Sequence, residues 1–414
     1  MFRNLRKDIL FDFYSVIKHI EKPMRKIIIG SYIFLGLFLL SCKSNSDQKT
    51  ASSQGSAVEK ISLPAPGEIT AAEKARLHNA CQLWYDTMLA RTSFNGGMVV
   101  AKKGNIIFEK YKGSNPLGSK DSVNENTAFH IASVSKTITA TCVLKLWQDS
   151  LLNIDDQFSK YFPEFNYPGV TIRSMLNHRS GLPNYVHFID KVGWKDSTHI
   201  SNRNVLNILI QKKNELENIG TPNTRFSYCN SNYALLALLI EKVTGKSYPD
   251  YVQQHIFTPL GMNNSFVYTA ASSAKASKNY DWRGKENQNT NLDDIYGDKN
   301  IYSTPRDLLT WDRALSADLI CNKQIMEQAY TPYSNEKPGV KNYGLGWRMN
   351  IYPNGKKVIF HNGWWHGNNA AFIRLIDQDA TIIVLGNRYN RNIYKAYQLI
   401  NSFGNYFETL EIEE

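Results

Sequence analysis

Five cysteines in 414 residues, Cys42, Cys81, Cys142, Cys229 and Cys321, form no CxxC pair, which excludes a zinc knuckle and a dithiol redox centre. There is no HExxH, no phosphate-cradling glycine loop and no internal repeat, and the nine histidines are dispersed. Nothing in the sequence therefore calls for a metal or a cofactor. The mostly apolar stretch 27–40 has fourteen residues, short of the roughly 20 that span a bilayer. A basic stripe is also missing. The net charge is +11, but residues 1–41 hold seven Lys/Arg against three Asp/Glu, and the pairs Lys102-Lys103, Lys212-Lys213 and Lys356-Lys357 stand apart. Nucleic acid is excluded as a partner on that pattern.

What is present is a chain with 42% hydrophobic and 21% charged residues, enough to bury a large core. From Met24 it reads Arg25-Lys26, the apolar stretch, then Leu39-Leu40-Ser41-Cys42: a basic region, a hydrophobic region and a small residue before cysteine. This resembles a bacterial lipoprotein signal, which implies a lipid on Cys42 and a body held at the cell envelope, on the periplasmic or outer-membrane face. An uncleaved anchor is the alternative. Residues 1–41 are thus read as signal segment, 42–67 as a flexible tether poor in aromatics, and 68–414 as the folded domain.

Thr70 with Glu73 three residues on fits a capping box, and Leu77, Cys81, Trp84 and Met88 recur at helical spacing, so a helix opens the domain. Runs 98–101 and 106–111 flank Lys103-Gly104-Asn105 as a hairpin, and runs 347–351, 358–361, 371–376 and 381–385 repeat the strand pattern near the C-terminus. A last helix is expected with Ile393, Tyr397, Ile400 and Phe407 on one face. Between the strand groups, about 130–330, the periodicity is helical. The expected architecture is a sheet built from both ends with an inserted helical lobe.

Three short elements carry chemistry. Ser133 and Lys136, at i and i+3 where a helix begins, place an amine beside a hydroxyl that needs its proton removed. The same SxxK spacing occurs at Ser15, Ser46, Ser272 and Ser334, in signal, tether or loop contexts. Tyr228-Cys229-Asn230 precedes an apolar helical run that stops at Gly245. Tyr228 is a candidate base and Asn230 a candidate ligand for a substrate amide. His361-Asn362-Gly363-Trp364 ends a predicted strand, where a glycine lets a substrate approach the backbone edge.

In that order, Ser133-x-x-Lys136, Tyr228-x-Asn230 and His361-x-Gly363 resemble the three motifs of the serine β-lactamase and penicillin-binding-protein superfamily, in its class C-like branch. Stretches 151–156, 171–183, 259–262, 301–308 and 343–347 are similar to landmarks of that family, so the resemblance covers about residues 75–400. It implies an α/β (α+β) fold, an antiparallel sheet flanked by helices beside a helical lobe. It also implies Ser133 as acylated nucleophile, Lys136 and Tyr228 sharing the proton transfers, Asn230, His361 and Gly363 binding substrate, and the N–H groups of Ser133 and Trp364 as oxyanion hole. No cofactor is implied. His361 stands where the family often has lysine, which weakens a fixed charge for a carboxylate because a free histidine titrates near about 6.5. The Trp364-Trp365 pair reads either as an aromatic wall of the cleft or as core packing.

A lipid-anchored serine hydrolase follows, forming an acyl-enzyme on a D-amino-acid peptide, such as a peptidoglycan stem, or on a small ester or amide. The alternatives are a class C-like β-lactamase and a non-catalytic cell-wall-binding or regulatory pseudoenzyme that keeps the fold.

Overall fold

Alternation along the strands fixes the architecture. In the run 380–386, Ile382 and Val384 join one apolar cluster and Ile383 and Leu385 the other, as successive side chains of a strand must. The computed structural model describes residues 60–194, 199–217 and 219–407; the expected signal segment and Cys42 lie outside these.

The strands are β1 (Gly96–Lys102), β2 (Asn105–Lys112), β3 (Phe129–His130), β4 (Phe266–Val267), β5 (Ile301–Ser303), β6 (Lys341–Tyr343), β7 (Arg348–Ile351), β8 (Lys357–Trp365), β9 (Asn368–Leu375) and β10 (Ala380–Gly386). Seven form one antiparallel sheet in the order β2-β1-β10-β9-β8-β7-β6, and three form a small sheet β3-β5-β4. The pairing of β1 with β10, Gly96 opposite Gly386, joins the two ends of the chain as the sequence led us to expect. The first hairpin turns on Lys103 and Gly104, both at positive φ.

One face of the sheet is covered by α1 (Ala71–Tyr85) and by the terminal segment Arg391–Ser402, the other by α2 (Ser135–Gln148) and the rest of the helical lobe. Thr70 caps α1 through the Glu73 N–H at 3.1 Å, while the Glu73 side chain turns to Lys102 (3.2 Å) instead of closing a capping box. Nearly every residue of α2 is buried, so it is a core helix rather than an amphipathic one.

Two expectations need correction. Residues 60–67 are not tether: the Ile61 N–H donates to the Pro259 carbonyl and the Gly67 N–H to the Lys103 carbonyl, both at 2.8 Å, because Ile61 and Leu63 pack on the core. The terminal segment is a 3₁₀ helix, not an α-helix. Ile393, Ala396 and Leu399, three apart, are buried on it, the period of a three-residue turn; Tyr397 is half-buried and Phe407 lies beyond its end.

Candidate active site

Ser133 sits in a 3₁₀ turn (Ala132–Val134) that runs into α2, which carries Lys136 in its first turn. Lys136 is fully buried, and its Nζ donates to Ser133 Oγ at 3.1 Å and to the Asp298 carbonyl at 2.8 Å. The second bond fixes the first. The loop supplying that carbonyl is pinned to α2, with the Thr139 hydroxyl donating to the Gly297 carbonyl (2.7 Å) and the Ile301 N–H to Ser135 Oγ (3.2 Å). Gly297 has φ +91°, and a Cβ there would lie 2.4 Å from the Tyr233 carbonyl, so only glycine passes. The turn itself is strained: Ala132 has φ +48°, an unfavourable value for a residue with a Cβ.

The helix Asn230–Thr244 begins immediately after Tyr228-Cys229 and ends at Gly245 in the left-handed conformation. It brings Tyr228 to Lys136, whose Nζ is 5.1 Å from the ring centroid. On the other side Arg348 Cζ is 4.9 Å from the same centroid. The Tyr228 hydroxyl has no hydrogen-bond partner among the described residues. Asn230 Oδ1 is buried without a partner among the described residues, while the Asn230 N–H donates to Asn184 Oδ1 at 3.2 Å. That free acceptor is available to a substrate N–H.

His361 takes a different part from the one expected. It is fully buried, its Nδ1–H donates to the Asn362 carbonyl (2.8 Å) and its Nε2 accepts from the Tyr343 hydroxyl (3.2 Å). Burial, then the positive charges of Arg348 and Lys136, hold its pKa well below the usual range, so it is a neutral ring. Both nitrogens are occupied, so it offers a substrate neither charge nor donor. Gly363 also serves the chain before any substrate. A Cβ there would lie 2.2 Å from the Ile131 carbonyl and 3.1 Å from Ala132 Cβ, so glycine lets β8 press directly on the turn that carries Ser133.

Strand parity then shows which way the backbone N–H groups near Ser133 point. The Ile351 N–H donates to the Val340 carbonyl on the β6 side, so by alternation Arg348 and Asn350 turn their backbone groups to β8. Their partners Phe360 and Val358 face β7, and Asn362 and Trp364 continue that parity past Phe360, where β7 pairing stops. The Trp364 N–H thus points to an unpaired edge beside Ser133. The Gly363 carbonyl of the same planar peptide points the opposite way and accepts from the Tyr394 hydroxyl at 2.9 Å. At the Ser133 turn, the Ala132 N–H is taken by His130 Nδ1 (3.1 Å) and the Val134 N–H by the Ile131 carbonyl (3.1 Å). The Ser133 N–H between them is one of the helix-start donors without an intrahelical acceptor. Two N–H groups facing one opening are what an acyl-transfer intermediate requires.

Several residues of this centre escaped the sequence reading. His178 lies under it, 4.3 Å from the Tyr228 ring and 4.8 Å from that of Tyr343, and its Nδ1 accepts the Cys229 N–H at 3.1 Å. Arg348, Tyr343, Asp298 and His130 are the others; His178 and Tyr343 fall in the landmark stretches 171–183 and 343–347, but no spacing there singles them out as site residues. Trp364 is 63% exposed and Trp365 is half-buried with its indole N–H on Asp293, so the pair does not act as one wall. Cys81, Cys142, Cys229 and Cys321 are buried free thiols, and among the described residues no cluster of His, Cys, Asp and Glu is arranged to hold a metal ion.

A serine bonded to a buried lysine, a tyrosine against that lysine and two N–H groups at an open strand edge define an active-serine hydrolase centre. Residues 84–401 match the Beta-lactamase family, and the chain belongs to it. Penicillin-binding protein 4* of Bacillus subtilis (strain 168) is 32% identical over 340 residues, 77% of this chain and 75% of that protein. In fold the chain is similar to the penicillin binding protein from Bacillus halodurans, with TM-score 0.67 and 24% identity over 79% of this chain and 98% of that one. It is also similar to D-amino acid amidase from Ochrobactrum anthropi SV3, with TM-score 0.65 and 21% identity over 78% and 98%. The chain is accordingly a serine hydrolase of the β-lactamase and penicillin-binding-protein type.

Proposed function

We propose that the protein hydrolyses D-amino-acid peptides with a free C-terminal carboxylate, through an acyl-enzyme on Ser133. The observation that carries this is Arg348. Its guanidinium is half-buried against the rings of Tyr228 and Tyr343, 4.9 and 5.9 Å from their centroids, with no hydrogen bond or ion pair among the described residues. A planar cation held by two aromatic faces and lacking an anion is a carboxylate receptor. It supplies the charge that His361 does not.

Ser133 Oγ attacks the scissile carbonyl as its proton enters the Lys136–Tyr228 pair, which relays one on to the leaving group, and the new oxyanion lies between the Ser133 and Trp364 N–H groups. The C–N bond then breaks with the leaving amine taking a proton from the Tyr228 side, and water hydrolyses the ester. The leaving residue's carboxylate rests on Arg348, which places it on the Tyr228 side of the cleft. The similar fold of a D-amino acid amidase supports a D-configured substrate.

The test compares an acyl-D-Ala-D-Ala peptide with its C-terminal amide. Arg348→Ala should cost about 10- to 100-fold in kcat/KM on the free acid, the worth of a charged hydrogen bond, and under threefold on the amide. Equal losses on both, or residual turnover in Ser133→Ala, would overturn the reading. We further propose that Cys42 is the lipid attachment site at the cell envelope, on the strength of Leu39-Leu40-Ser41-Cys42. Incorporation of labelled palmitate that survives Cys42→Ala would refute it.

A further inference from the structure

Next to Arg348 a cavity of about 830 Å³ opens between the segment entering the Tyr228 motif and the β6 hairpin. Its apolar floor includes Phe226, Pro338, Val340 and Tyr343, and four cations stand around it: Arg225, Lys337, Lys341 and Arg348. Among the described residues the only acid lining it is Glu336, which is already engaged by Arg179. None of the four cations has a hydrogen bond or ion pair to another described residue. Three are exposed, so solvent screens them, but Arg348 is not, and their fields add over one opening.

This arrangement exceeds what a single carboxylate needs. We propose that the cavity is a subsite for the leaving residue and selects one bearing two carboxylates, the α-carboxylate on Arg348 and a side-chain carboxylate among Arg225, Lys337 and Lys341. The inference rests on the proposed function, since it takes the Tyr228 side as the leaving-group side. Its chemistry is that of a dicarboxylic D-amino acid with its methylene stem on Phe226 and Val340. A cationic leaving residue meets like charge on every wall and is rejected, which makes the same pocket a device of exclusion.

The full chain is assayed on acyl-D-Ala peptides that differ only in the leaving residue, D-Ala, D-Glu or D-Lys. One exposed ion pair is worth at most about fivefold, so two engaged cations give kcat/KM about tenfold higher for D-Glu than for D-Ala, and D-Lys falls below both. The D-Glu advantage shrinks with added salt and collapses in Lys337→Glu/Lys341→Glu. If the peptides are cut at equal kcat/KM, the subsite is wrong while the Ser133 reading stands. If none is cut, that reading fails, and calorimetry of D-glutamate and D-alanine with the Ser133→Ala chain decides the pocket separately. Tighter D-glutamate binding that the double charge reversal abolishes supports the subsite; equal or undetectable binding of the two overturns it.

Discussion

His130 Nδ1 accepts the Ala132 N–H at 3.1 Å, so one ring holds the backbone at φ +48° immediately before Ser133, the proposed nucleophile. The bond exists only while Nδ1 keeps its lone pair. Burial, the largest influence, pushes the His130 pKa down to about 4. The folded value then lies below the unfolded one near 6.5, the unfolded chain binds more protons between the two, and stability is lost as pH falls from about 6.5 to about 4. His130's share is about 3 kcal/mol, at about 1.4 kcal/mol per unit. Buried His178 and His361, both pushed down, act in the same direction. Denaturation midpoints between pH 4 and 7 should fall less steeply in His130→Gln than in the wild type, and an unchanged slope would show that His130 is not the sensor.

Tyr394 reaches the site from the far face of the sheet. Its hydroxyl donates to the Gly363 carbonyl at 2.9 Å and accepts from Asn369 Nδ2 at 2.7 Å. Holding that carbonyl sets the peptide plane, and with it the direction of the Trp364 N–H. Loss of an oxyanion donor costs 10²–10³ in rate, and loss of its support costs less. Tyr394→Phe should lower kcat about tenfold with KM within about twofold, measured on a chromogenic ester. A change confined to KM or to thermal stability would make Tyr394 a packing residue.

How much of this was legible follows from where each residue's constraint resides. Ser133 with Lys136, and Tyr228 with Asn230, each lie within one turn at a helix start, and local spacing exposes both pairs. Arg348 acts through a tertiary contact with Tyr228, 120 residues away in the chain, and no local pattern encodes that. The 3₁₀ period of Arg391–Ser402 was present in Ile393, Ala396 and Leu399. Tyr397 and Ile400 fit an α-helical face equally well, so packing on β9 and β10 decided the outcome. His361 is expected at a strand end, open to substrate, whereas β8 continues to Trp365 and buries the ring.

Gly363→Ala tests the contact between β8 and the nucleophile turn. The added methyl meets the Ile131 carbonyl at 2.2 Å, a backbone atom that cannot rotate away, so strand and turn must separate. Overpacking of this kind costs about 1–3 kcal/mol. The Trp364 N–H moves with the strand, so kcat should fall about 10²-fold even where the protein remains folded. A melting curve and a kcat measured together check it, and near-wild-type turnover in a folded variant would remove Gly363 from the site.

The charge that receives the substrate carboxylate can be assigned by pH. If His361 served, KM for a free-acid peptide would fall as pH dropped through about 6.5 and the ring became cationic. Burial, with Arg348 and Lys136 beside it, keeps the ring neutral far below that pH, while an arginine stays charged throughout. KM should therefore be flat from pH 5.5 to 8 in the wild type and in His361→Gln, and raised across the whole range in Arg348→Ala. A wild-type KM that drops below pH 6.5, with the drop lost in His361→Gln, would move the carboxylate from Arg348 to His361.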